Sequence, residues 1–115
     1  MQRVQGQIDD LKLVNEGGID IVNLRVDGQL GTICADDFTL NEADVICRQL
    51  GYRYSNDVLK RQSFSTIVLF GFKCNGDEDK ISDCKITETS GNQNHCSGGQ
   101  AAGIRCYGKE SPQPG

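Results

Sequence analysis

Apolar and polar positions alternate through the first quarter of the chain, with Leu11 and Leu13, then Ile19 and Ile21, set between polar neighbours, before Leu24 and Val26 lead into Asp27-Gly28. A period of two places alternate side chains on one face of an extended backbone, so this stretch reads as strands. Asp27-Gly28 suits a tight hairpin because glycine takes positive φ without steric cost, and Leu30–Cys34 returns as the next strand. The period then changes. Thr39 and Glu42 have capping-box spacing, Ala43, Ile46, Cys47 and Leu50 recur at helical intervals, and Gly51 supplies a stop. Glu42, Arg48 and Gln49 fall off that apolar stripe. The helix is therefore expected to pack on a sheet through Ala43, Ile46 and Leu50, with Cys47 tied to a distant strand.

From Arg53 to Thr66 the chain is polar and takes no assignment, after which Ile67, Val68, Leu69 and Phe70 read as a buried strand. Phe70 and Phe72, two apart, share a face that is either core or an exposed aromatic contact, and Tyr52 and Tyr54 carry the same two readings. The rest is turn-rich: an acidic loop (Asp77, Glu78, Asp79) lies between Cys74 and Cys84, and 90–100 is dominated by Asn, Ser and Gly. Ala101–Cys106 offers a closing strand. Residues 1–10 and 108–115 read as linkers around a domain at 11–107, with no internal repeat.

With 115 residues and seven aromatic side chains, none of them Trp, the chain can build one modest core. Six cysteines, Cys34, Cys47, Cys74, Cys84, Cys96 and Cys106, stand 12, 26, 9, 11 and 9 residues apart. An even, widely spaced set in a small Gly-rich domain is a disulfide framework and implies an oxidising, extracellular setting. The absence of any CxxC argues against zinc and against a redox pair. A net charge of −4 and a pI near 4.8 speak against nucleic acid or anionic membrane as the main partner. No apolar run is long enough for a membrane span, so no membrane insertion is expected. MQRVQGQIDD lacks the apolar centre of a secretion signal, so an extracellular location makes the chain an excised domain or a mature form.

Residues 28–52, GQLGTICADDFTLNEADVICRQLGY, resemble the scavenger receptor cysteine-rich family, whose pattern there is GxWGTVCDDxW followed by AxVVCRQLGY. CNGDEDKISDC at 74–84 is similar to its CxGxExxLxxC, and CSGGQAAGIRC at 96–106 to its CxxxEDAGVxC. The resemblance implies an α+β fold, a small disulfide-rich domain in which a curved antiparallel sheet cradles one α-helix. By analogy with the six-cysteine subgroup it also implies the pairs Cys34–Cys96, Cys47–Cys106 and Cys74–Cys84. Leu30 and Phe38 stand for two family tryptophans, and Ile21 and Asn23 for the Arg and Glu of the family strand motif GRVEV. Leu30 and Phe38 keep apolar positions, so the fold is expected to stand, while the four replacements together count against the family's usual bacterial and polyanion binding.

Family members hold calcium with two Asp after the first cysteine and the Glu of the acidic loop. Here the first Asp is Ala35, leaving Asp36, the neighbouring Asp37 and Glu78. A hard divalent cation takes six to eight oxygens, so these three carboxylates imply at most weak calcium binding, against the plainer reading that they form a solvated face or cap turns. A second family acidic site has Phe70-Gly71-Phe72 in place of its Asp and is expected to be absent. No cofactor is required. Arg48, Arg53, Lys60, Arg61 and Lys73 are candidates for an anion-binding cluster or for ordinary solubilising charge. The single histidine, His95, adjoins Cys96, but a cysteine held in a disulfide is no nucleophile, and no GxSxG elbow occurs, so no catalytic residue is assigned. The expected function is that of an extracellular, noncatalytic module, monomeric in isolation, binding a protein or an anionic polysaccharide for a larger secreted or cell-surface protein. The alternatives are an accessory domain of a secreted enzyme of serine protease or lysyl oxidase type, and a structural spacer.

Overall fold

Two tight turns organise the first quarter of the chain in the computed structural model, which describes residues 8–36, 38–89, 96 and 98–108. β1 (Ile8–Glu16) pairs antiparallel with β2 (Ile19–Val26) across Gly17-Gly18, and β2 pairs with β3 (Gln29–Ile33) across Asp27-Gly28. All four turn residues have positive φ, the geometry that matches the twist of the flanking strands. Asp9 and Asp10 belong to β1, although their polarity suggests a linker. Arg25 of β2 draws them in, with Nη2 2.7 Å from Asp10 Oδ2 and Nε 4.0 Å from Asp9 Oδ1.

The chain continues through α1 (Leu40–Gln49), β4 (Tyr54–Arg61), β5 (Ile67–Lys73), a 3₁₀ turn at Ile81–Asp83, β6 (Lys85–Thr89) and β7 (Ala101–Tyr107). The strands form one curled sheet in the order β4-β7-β2-β3-β5-β6, with β1 also on β2. The sheet is mixed: β3 and β5 run parallel, and the other pairs are antiparallel. A parallel pair needs a crossover, which α1 and β4 supply. β4 and β6 are the strands that pattern reading passes over. They lie at the two ends of the sheet path, and neither carries a clean apolar alternation in its sequence.

α1 lies on the core side of the sheet. Ala43, Val45, Ile46 and Cys47 are buried in one cluster with Val22, Leu24 and Val26 of β2, Val68, Leu69 and Phe72 of β5, and Ala102 and Ile104 of β7. Phe72 belongs to this core, its ring 6.5 Å from that of Phe38, whereas Phe70 is half-buried. The helix starts on the expected capping box: Thr39 Oγ1 accepts from Asn41 N–H, and Thr39 N–H donates to Glu42 Oε1 at 2.7 Å. Glu42 is only 1% exposed, contrary to its place off the apolar stripe. Its second oxygen accepts the Cys74 N–H at 2.8 Å, so one carboxylate joins the helix start to the segment after β5.

The polar flank of α1 grips its surroundings in the same way. Asp44 accepts the Ser55 N–H at 2.8 Å, Gln49 accepts the Ile81 N–H at 2.8 Å, and Arg48 donates to the carbonyls of Gly76 and Glu78 at 2.6 and 2.9 Å. Three disulfides complete the frame, Cys34–Cys96, Cys47–Cys106 and Cys74–Cys84, the set implied by the family resemblance. Each of the two long loops closed this way is worth about 4 kcal/mol in a chain-entropy model, and the short one about 3.

Gly31 marks the tightest approach in the sheet. A Cβ added there would strike the Thr66 carbonyl and both methyls of Val68, where β3 runs beside β5. The backbone cannot yield without breaking the Thr32 N–H to Thr66 carbonyl bond of 2.8 Å. Gly31→Ala is therefore expected to destabilise the domain by about 1–3 kcal/mol, as overpacking does. Denaturant unfolding of both proteins checks this, and an unchanged midpoint would refute the close approach.

Candidate functional site

The end of α1 shapes the most complete candidate site. Gly51, with φ +95, follows the C-cap Leu50, and its N–H donates to the Arg48 carbonyl while the Tyr52 N–H reaches back to the Cys47 carbonyl at 2.8 Å. This paired closure turns the chain sharply and satisfies the last helical carbonyls. Arg53 then bonds through its N–H to the Tyr107 carbonyl of β7 at 2.9 Å. Its aliphatic stem lies against Gly108, where a Cβ would come within about 3 Å of it. Arg48, Gly51, Tyr52, Arg53 and Asp79 thus line an open cleft of about 410 Å³.

Just beyond, Tyr54 and Tyr107 pair across β4 and β7 and stack, with centroids 5.6 Å apart and planes at 17°. Both are exposed, at 46% and 36%. The Arg53 guanidinium forms no hydrogen bond or ion pair among the described residues, and neither does the Asp79 carboxylate.

The five basic candidates do not form one cluster. Arg48 and Arg53 meet at the cleft, but Arg48 spends Nη2 on two loop carbonyls. Lys60 and Arg61 lie at the other end of β4, about 25 Å from Arg53 at strand rise. Arg61 is a strap there: Nη1 donates to the Glu16 carbonyl at 2.8 Å, beside Gly17. Lys60 is exposed near the end of β4, and Lys73 is exposed at the end of β5.

Of the acidic candidates, Asp36 is half-buried beside Cys34 and Asp37 lies outside the described residues. Glu78 turns its carboxylate into its own loop, accepting the Asn75 N–H at 2.9 and 3.1 Å and the Gly76 N–H at 3.0 Å. The Asn75 bonds above all hold its carboxyl below the ordinary value of 4.5; partial desolvation opposes them, and the Gly76 bond and Arg48 assist. Among the described residues, Asp36 and Glu78 each come together only with two sulfurs already joined to one another, so no three carboxylates converge. His95 also lies outside the described residues.

Pattern reading missed Phe64, which is 98% exposed. Its loop is nonetheless bonded on both sides. Ser63 donates to Glu16 Oε2 at 3.0 Å, Ser65 donates to Asn23 Oδ1 at 3.3 Å, and the Thr66 carbonyl accepts from Thr32. A phenyl ring between two serines, inside a stretch with no apolar neighbour to bury it, was the available signal.

Comparison with known proteins places these features in context. The family model described as "Scavenger receptor cysteine-rich domain" matches residues 11–107. A scavenger receptor cysteine-rich domain superfamily protein of Patiria pectinifera is 33% identical over 117 residues, covering 91% of this chain and 10% of that protein. Lysyl oxidase homolog 2 of Mus musculus is 35% identical over 98 residues, covering 81% of this chain and 12% of the relative. The chain thus spans about a tenth of the length of these relatives. In fold it is similar to the crystal structure of the dimeric form of the SRCR domain of mouse MARCO, with a TM-score of 0.62 and 26% identity over 91% of this chain and 93% of that one.

Glu78 gives a direct test of how its loop is held. A carboxyl whose folded value is depressed contributes stability above its ordinary value and loses it as pH falls through the folded value. Wild type is therefore expected to exceed Glu78→Gln in melting temperature near neutrality, with the gap closing as pH drops below 4.5. A gap that stays constant from neutral to strongly acid pH would contradict this account of the loop.

Proposed function

Because the chain belongs to the scavenger receptor cysteine-rich family, we propose that it is a noncatalytic recognition module of a larger secreted or cell-surface protein, offering a preformed surface to a protein or anionic glycan. The observation that carries this reading is Arg53, a cation without a partner among the described residues, held at the mouth of an open cleft beside two stacked, exposed tyrosines. Arg and Tyr are the residue types that dominate binding energy at interfaces. The Arg53 backbone is bonded to Tyr107 and the two tyrosines stack on each other, which limits the freedom lost on binding. Phe64 adds an apolar contact suited to a protein ligand. Reaction chemistry is disfavoured because all six sulfurs are bonded in pairs, leaving no thiolate.

A second reading has its own support. The 35% identity to lysyl oxidase homolog 2 lies in about an eighth of that protein, which fits an accessory domain that positions a partner for a secreted enzyme.

An array of glycans and extracellular proteins, probed with the wild-type domain, Arg53→Ala and Phe64→Ser, tests recognition. Saturable binding is expected, reduced about tenfold or more by at least one substitution. Stability should stay within about 0.5 kcal/mol of wild type, since both side chains are exposed. Absence of saturable binding to every array member would reduce the domain to a spacer.

A further inference from the structure

The charge pattern of the cleft narrows its ligand, an inference that rests on the recognition reading above. Arg53 and Asp79 line the same cleft, yet they pair neither with each other nor with any other described side chain. Arg48, the second cation of the lining, is bonded to two loop carbonyls, which leaves Arg53 and Asp79 as the unbridged charges and suits a group that carries an acceptor at one end and donors at the other. Asp79 has the exposed Asp77 close by in sequence, which adds negative charge on its side. A uniformly sulfated chain would meet repulsion along that side. Tyr52, which also packs in part against the core, lines the same open cleft.

We propose that this cleft receives a single carboxylated sugar residue, with its carboxylate on Arg53, its hydroxyls donating to Asp79 and its ring against Tyr52. Arg53 suits the first role because a guanidinium can meet both oxygens of a carboxylate in one plane. Asp79 suits the second because an ionised carboxylate only accepts, and sugar hydroxyls donate. Asp79 thereby becomes the residue that sets specificity. It attracts a bipolar, hydroxyl-bearing acid and repels a polyanion, so its removal should move the two affinities in opposite directions.

The probes are 3′-sialyllactose as the carboxylated sugar, lactose as its neutral control and sucrose octasulfate as the polyanion, titrated into the ¹⁵N-labelled domain. The expected result is that 3′-sialyllactose, and not lactose, shifts the amide signals of 48–53 and 76–79, and that Arg53→Ala abolishes these shifts. Asp79→Ala should weaken 3′-sialyllactose about tenfold while strengthening sucrose octasulfate. The proposal is overturned if 3′-sialyllactose causes no shift up to about 10 mM, or if Asp79→Ala binds it as well as wild type. Array binding that still depends on Arg53 would in that event leave the recognition reading standing and remove only this ligand class. Asp79→Asn, which keeps the shape and removes the charge, separates repulsion from a packing effect: it too must raise affinity for sucrose octasulfate, and failure to do so also overturns the proposal.

Discussion

The bond between Cys47 and Cys106 is the constraint on which the rest of the molecule depends. Cys47 sits on the buried face of α1, and Cys106 lies in β7, the strand between β4 and β2. A helix of only ten residues is marginal alone, so its position comes from what holds it against the sheet. The contribution of such a link, about 4 kcal/mol, is comparable to the whole net stability of a small domain. The same bond brackets the cleft. The Tyr52 N–H returns to the Cys47 carbonyl, and the Arg53 N–H meets the carbonyl of Tyr107, next to Cys106. Sheet, helix and candidate site therefore share one covalent anchor, and movement of α1 against β7 would open the cleft wall at both points.

Around that anchor most charged side chains serve architecture. Arg25 bridges to Asp9 and Asp10, Arg61 straps the first hairpin, Arg105 approaches Asp57 at 3.7 Å, and Arg48 binds two loop carbonyls. Exposed ion pairs contribute little individually. The bonds to backbone groups matter in a different way, because each satisfies a main-chain group where no regular ladder reaches. Glu42 does this twice, at the Thr39 and Cys74 N–H groups, from a position almost sealed from water. Removing these commitments from the basic residues explains why the cluster suggested by composition resolves into one unpaired arginine at the cleft and charges spread along β4 and β5.

How legible this was in the sequence depended on whether the decisive contact was local. The β2–β3 hairpin, the capping box at Thr39 and Glu42, and the stop at Gly51 rest on neighbours a few residues apart, and they stand as read. The cysteine pairing was legible only through family resemblance, since spacing alone leaves fifteen pairings open. β4 was illegible because its order comes from β7, forty or more residues away, and its own side chains alternate too weakly to show it. The burial of Glu42 had no local sign either, because the Cys74 N–H that fills its second oxygen is 32 residues distant. The cleft combines both cases: Gly51 announced the turn, whereas Asp79 reaches it through a loop that Arg48 holds.

β2 departs from the family strand motif at two positions, and both have been drawn into the packing. Where the family strand motif carries Arg and Glu, this chain has Ile21 and Asn23, and both are buried, at 0% and 5% exposure. Ile21 lies beside Gly103 of β7, where any Cβ would meet Ile19 and Ile21, and Ser65 covers Asn23 with a hydrogen bond. A strand whose outward positions were charged would leave this face in water. Here it has become a second small packed layer, beneath the bonded loop that carries Phe64 outward. This end of β4 presents Phe64 near the exposed Lys60, whereas Arg53, Asp79 and the tyrosine stack lie toward its opposite end.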